Sequence, residues 1–234
     1  MSKYFISTLL LLLFSLCVQA QVANDDEDDQ DNKTVVVDSV RQLRFGFDVF
    51  KPILYGFDKQ RKAYDFELDY YYKKESYWVL EGGWGSGQQD SLYLSYKSSN
   101  VFFRGGYNKG ILTRLFPNDW DMAFIGLRYG LAFIDRSPAT FTIIDPIWGN
   151  TSGTIPGKNI FTHWFEITGG VRVELFKGLF TGWTVRGKFI FNGKQLKELP
   201  PSYIAGYGRG DKPSIFDFNF YVDYAIRWKK KKVH

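Results

Sequence analysis

From residue 43 onward, apolar and polar residues alternate with a period of two in eight runs of strand length. Successive side chains of a strand point to opposite faces, so this period predicts strands with one greasy and one polar face. The runs cover about 43–49, 64–72, 78–84, 101–108, 123–133, 165–175, 182–191 and 216–228. The last is the most regular: Phe216, Phe218, Phe220, Val222, Tyr224, Ile226 and Trp228 alternate with Asp217, Asn219, Tyr221, Asp223, Ala225 and Arg227. After the N-terminal region no stretch approaches 18 consecutive apolar residues, so a chain like this can cross lipid only as a closed barrel.

The connections differ in length. Those after runs one, three, five and seven are long, roughly 10 to 25 residues. Those after runs two and six are short, Lys73 to Ser76 and Lys177-Gly178, and the one near residues 116–119 is intermediate. Short turns on one rim and long loops on the other are the build of outer-membrane barrels. The expected fold is all-β: an eight-stranded antiparallel up-and-down transmembrane β-barrel over residues 41–228, with both ends in the periplasm and four loops outside.

Alternation alone also fits a soluble barrel with its apolar face inward. Three features favour the inverted arrangement. The polar face carries mid-strand charges in near balance: nine acids (Asp48, Asp65, Glu67, Asp69, Glu81, Glu166, Glu174, Asp217, Asp223) and seven bases (Arg44, Arg104, Arg128, Arg172, Arg186, Lys188, Arg227). Glycines recur on the same face (Gly46, Gly126, Gly130, Gly170, Gly182), which weakens an exposed strand but makes room in a narrow interior. Tyrosines and tryptophans gather at run ends (Tyr70, Tyr72, Trp78, Trp84, Tyr107, Trp183, Trp228), as at membrane interfaces. Eight strands enclose a space that side chains just fill, and charges there must be paired. The expected interior is therefore a network of Arg44, Asp48, Glu67, Glu81, Arg104, Arg128, Glu166, Arg172, Glu174, Arg186 and Asp223 that plugs the lumen. A narrow channel is the alternative.

Residues 1–20 read as a secretory signal peptide, with Lys3, an apolar stretch over 4–16 and Val18-Gln19-Ala20 before the expected cleavage. The apolar run is short for a membrane anchor, and Leu16 before Cys17 does not suit a lipoprotein signal. Cys17 is the only cysteine, so the mature chain would hold no disulfide, thiol nucleophile or thiolate metal site. Residues 21–40 form an acidic, disordered lead-in, and 229–234 a basic periplasmic tail. The net charge of +5 is the sum of such opposed segments, with no broad basic stripe for nucleic acid.

Signals for chemistry are sparse. His163 lies on the outward parity and Glu166 on the inward one, so the two form no obvious dyad. An interfacial histidine is expected, with a lipid-modifying enzyme as the alternative. Gly83-Trp84-Gly85-Ser86-Gly87 is glycine-rich, but no helix follows to make it a phosphate loop. The acidic run 25–31 lacks the spacing of a calcium loop. No cofactor and no catalytic or metal site is expected. The long loops are the expected working parts. Ile147 and Trp148 in the third, and Leu199, Tyr203, Ile204 and Tyr207 in the fourth, are apolar at a density that suits a protein-partner surface. The same residues would equally suit loops packed on one another as a lid.

The blocks Ile125-Gly126-Leu127-Arg128-Tyr129-Gly130, His163-Trp164-Phe165-Glu166, Lys177-Gly178-Leu179-Phe180-Thr181-Gly182-Trp183 and Tyr203-Ile204-Ala205-Gly206-Tyr207-Gly208 resemble an uncharacterised family of outer-membrane β-barrel proteins from Bacteroidota. The resemblance implies an outer-membrane location and no established activity. It also implies service beside surface lipoproteins or within an envelope-assembly complex. The function expected is that of a non-enzymatic structural or interaction subunit, with outer-membrane lipid around it and a protein partner at its loops.

Overall fold

The computed structural model describes residues 40–112, 116 and 119–229. The expected signal peptide, nearly all of the acidic lead-in and the basic tail after Lys229 lie outside the described residues.

The described residues form ten strands, eight from the period-two runs and two, β6 and β7, within the third loop: β1 (Val40–Asp48), β2 (Arg61–Lys73), β3 (Ser76–Asp90), β4 (Leu94–Gly110), β5 (Met122–Arg136), β6 (Ala139–Ile143), β7 (Thr151–Ile155), β8 (Lys158–Phe176), β9 (Leu179–Ile190) and β10 (Ser214–Lys229). Eight of them close into a ring, β1-β2-β3-β4-β5-β8-β9-β10 and back to β1. Every pairing is antiparallel, and β10 runs beside β1 over nine residue pairs, from Val40↔Lys229 to Asp48↔Tyr221. A closed ring leaves none of these eight strands with a free edge along its paired length.

Side-chain parity follows the alternation. Phe45, Leu80, Ile125, Leu127, Tyr129, Phe133, Val185 and Ile226 face outward, and Ile125 and Leu127 are 54% and 51% exposed at mid-strand. Arg44, Asp65, Glu81, Arg104, Arg128, Glu166, Arg172 and Arg186 face inward and are buried. The ring is thus polar inside and apolar outside, the reverse of a soluble protein.

One rim carries the two-residue turns 74–75 and 177–178, the connection 111–121 and both ends of the described chain. The opposite rim carries 49–60, 91–93, 137–157 and 191–213. One expectation about this rim needs correction. The connection after the third run is not a long loop. β3 and β4 continue as a paired hairpin from Ser86↔Ser99 to Asp90↔Ser95, joined by residues 91–93. Those segments are polar on both faces, so they lack alternation and are held by the backbone ladder. The first loop contains a helix, α1 (Phe50–Phe57), with Pro52 in its first turn, where a missing N–H costs little. Asp48 Oδ1 accepts from Phe50 N–H at 2.9 Å at its start. In the third loop, β6 pairs with the end of β4 and with β7, so this loop is a projecting arm.

Candidate functional site

The inward residues form three stacked layers. The central layer is ionic. Glu81, on β3, accepts from Arg104 at 2.6 Å, Arg128 at 3.0 Å and Arg186 at 2.9 Å, and from the Tyr221 hydroxyl at 3.2 Å. Glu166, on β8, accepts from Arg186 at 3.1 Å, Arg104 at 3.4 Å and the Trp164 indole N–H at 2.6 Å. Asp65 adds a 3.2 Å pair with Arg104. Asp48 accepts from Asn219, and Arg186 donates to the same amide at 2.7 Å. Nearer the short-turn rim, Arg172 joins Glu67 at 3.0 Å and Asp223 at 2.9 Å, and Arg44 meets Asp69 at 2.5 Å. These contacts bring together side chains from all eight ring strands. A buried charge is tolerated only with such partners.

To the seven bases expected on this face the fold adds Lys51 from α1 and Arg136 from β5, which brings bases level with the nine acids. Of the residues expected in the network, Glu174 stands apart. It lies at the short-turn rim, pairs with Arg227 at 2.8 Å and accepts from Gly178 N–H at 2.6 Å, so it caps a turn.

Glycines give the long side chains their space. A Cβ at Gly130 would sit 2.7 Å from Trp164 Nε1, and one at Gly182 would sit 2.9 Å from Arg172 Cδ. Only a missing side chain lets that indole and that guanidinium stem lie flat against the wall.

Aromatic layers close both ends. On the short-turn side Tyr71, Tyr77, Trp120 and Phe180 fill the opening. Arg44 lies over Tyr77 at 4.9 Å, and Arg227 over Trp120 at 4.7 Å. On the loop side the fourth loop folds into the mouth. Tyr203, Ile204, Ala205 and Tyr207 pack on Ala63, Phe102, Ile134, Ile160 and Trp164. Asn100 holds this turn by donating to Tyr203 O at 3.0 Å and accepting from Ala205 N–H at 2.6 Å. Arg104 and Lys188 both donate to Gly206 O, at 2.9 and 2.6 Å. Gly206 has φ +77°, and a side chain there would strike the Phe102 ring. Lys51 and Lys188 clasp Asp217 from two sides, each at 2.6 Å.

The outward partner surface expected of Tyr203, Ile204 and Tyr207 is therefore corrected. Their apolar side chains face the ring interior, and Leu199 is half-buried beside them. The sequence reading missed Lys51, Asn100 and Phe102 as anchors of this plug. Asn100 and Phe102 share the inward parity of Arg104, the signal that could have found them. Burial pushes the Tyr203 phenol above its usual range and the Tyr207 phenol up to about 12. Burial alone would lower the Lys51 ammonium, but the Asp217 carboxylate overrides it and the net direction is upward.

Ile147 and Trp148 lie at the tip of the β6–β7 arm, 82% and 86% exposed, beside exposed Ile143 and Ile144. Asp145 Oδ1 accepts from Ile147 N–H at 2.7 Å and Trp148 N–H at 3.0 Å, which shapes the tip and holds that carboxyl below its usual range. Tyr93, exposed in the β3–β4 turn, joins the arm when its carbonyl accepts from Thr142 N–H at 3.0 Å. His163 faces outward among Tyr129, Phe161 and Phe191, with its Nδ1 2.9 Å from the Tyr129 hydroxyl. Glu166 points to the other side of the sheet, so the two do not meet.

A family described as a domain of unknown function, DUF6048, matches residues 1–231, nearly the whole chain. The chain belongs to this family. No curated protein matches it. Among solved structures, the N-terminal β-barrel domain of Pseudomonas aeruginosa OprF is similar at 9% identity and a TM-score of 0.30, over 80% of this chain and 98% of that one.

Proposed function

We propose that this DUF6048 chain is a non-enzymatic, eight-stranded up-and-down β-barrel of a bacterial outer membrane whose outer loops bind a protein partner. The outer-membrane part of the reading rests on the inverted polarity of the ring. On β5 the outward residues are apolar from Ala123 to Phe133, and Asp135 ends the series. Ten strand rises at about 3.4 Å, inclined by about 40°, give a belt of ~26 Å, close to the height of the apolar band on such barrels. Across that boundary Lys62, Ser86, Ser99, Asp135 and Asn159 stand in register, with Tyr64, Trp84, Val101, Phe133 and Phe161 in the row below. An apolar surface of this extent has no place in water.

The partner-binding part rests on the arm tip. Ile143, Ile144, Ile147 and Trp148 are exposed on the arm that follows β5 past the polar row, and nothing among the described residues covers them. A structural role in place of conduction is supported by the paired charges and by the aromatic closures at both ends. The test is affinity purification of the full chain from mild detergent, wild type against Ile147→Asp/Trp148→Ala. A protein that copurifies at near-equal stoichiometry with the wild type and is lost from the variant supports the reading. If the wild type copurifies with nothing, the partner reading fails. Steady conductance steps in planar bilayers would favour the channel instead.

A further inference from the structure

The β6–β7 arm ends in an open strand edge whose orientation can be worked out residue by residue. Thr142 N–H donates to Tyr93 O across to the β4 side. Backbone groups alternate sides along a strand, so Thr140 and Thr142 turn theirs toward β4 while Ala139, Phe141 and Ile143 turn theirs toward β7. Those three lie opposite Ile155, Gly153 and Thr151. Residues that face each other in this way exchange both of their hydrogen bonds. Ser152 and Thr154 are then left with N–H and C=O pointing away from the arm. Among the described residues no strand pairs with that side of β7.

Natural sheets guard an exposed edge with lysine, proline or a bulge. Thr151-Ser152-Gly153-Thr154-Ile155 holds no charge and no proline, and its register with β6 runs without a shift. Its two faces also differ. Ala139, Phe141, Ile143 and Ile155 lie on one, with the Phe141 ring laid over Gly153 and Thr151 as its one hydroxyl at the end, and Thr140, Thr142, Ser152 and Thr154 lie on the other.

We propose that this edge receives an added strand: an uncharged, extended segment of about five residues from a different protein, apolar on one face and hydroxyl-bearing on the other. The proposal rests on the partner-binding reading above and names the mode of binding. Lack of charge follows from the edge, which offers no counter-ion to a charged segment laid along it. A second copy of the chain does not fit. Copies in one membrane are related by an axis along its normal. About such an axis the same strand pairs antiparallel only if it lies in the membrane plane, and parallel only if it stands upright. β6 and β7 continue the β4 ladder, and barrel strands incline by about 35–45°, which satisfies neither. Five ladder residues fall short of the ~1,200 Å² of a stable interface, so the same partner must also cover Ile147 and Trp148.

The experiment compares amide hydrogen exchange at Ser152 and Thr154 in native outer-membrane fragments and after purification of the full chain in mild detergent. At least tenfold slower exchange in the fragments is expected. In parallel, a photoreactive residue at Thr151 should cross-link to an uncharged stretch of another protein. The double substitution Ser152→Pro/Thr154→Pro removes two outward donors and no β6 bond, and should abolish both signals while the ring keeps its heat-shifted gel mobility. Equal exchange in the two preparations, or cross-links to a second copy or to lipid alone, would overturn the proposal. If Trp148→Ala still abolishes copurification while Ser152 and Thr154 exchange freely in the fragments, strand addition falls and partner binding stands. If copurification is also absent, both fall.

Discussion

Glu81 neutralises more of the interior than any other single side chain, since three arginines and a tyrosine converge on its carboxylate. Glu81→Gln preserves shape but leaves Arg128 without an acid and Arg104 and Arg186 short of one. Breaking a buried pair from one side costs about 3–5 kcal/mol. Urea unfolding in lipid vesicles should show a loss of that order. Gly130→Ala should cost about 1–3 kcal/mol by the same measurement and shift tryptophan emission, because the new methyl meets the Trp164 indole. Alkali should act on the fourth loop. The Tyr203 phenol and the Lys51 ammonium both hold their protons more tightly folded than unfolded. Their contribution is complete below the ordinary tyrosine range near 10 and is lost as pH rises beyond it. Protease cleavage within 191–213 should therefore accelerate above about pH 10 and stay constant between about 6 and 9. Residue parity on the ring strands could be read from the sequence because each inward charge interrupts the apolar series at every second position. Lys51 could not, since it lies in a helix too short to leave a period of its own.

At the scale of elements, the hairpin turn between β2 and β3 is poorly matched to its residues. Lys74 and Glu75 both adopt positive φ, 47° and 54°, where a two-residue hairpin turn prefers Asn-Gly. Lys74→Asn/Glu75→Gly should stabilise the ring by about 1 kcal/mol, read as a higher urea midpoint. The strands of the ring were evident from alternation, but the extension of β3 and β4 beyond Trp84 and Val101 was not. It depends on pairing between two segments that are each polar on both faces. The fourth loop shows the same difficulty in sharper form. The apolar content of 196–207 reads alike whether it meets a partner or a ring interior. What decides is the set of donors waiting inside: Asn100, Arg104 and Lys188, brought from β4 and β9 to one carbonyl cluster. Their positions relative to the loop are set by ring closure and by nothing local.

At the scale of the whole molecule, the outward belt makes a depth-dependent prediction. Leu127→Arg, near the middle of the belt, should cost about 2–4 kcal/mol in vesicles, while Ser99→Arg, in the polar row, should cost under about 1. Equal, small effects at both sites would contradict lipid exposure. The alternating design also bears on how such a chain could reach its destination. Charged, amide or glycine residues interrupt every run, so before closure no continuous greasy segment of spanning length exists for a translocation pore to release sideways. On the outer-membrane reading proposed above, lipid affinity would arise only when the first and last strands zip together, because that step alone gathers the scattered rings and aliphatic groups into one girdle. A chain cut short before residue 214 would thus be expected to stay a passenger in the aqueous compartment, however apolar its remaining strands.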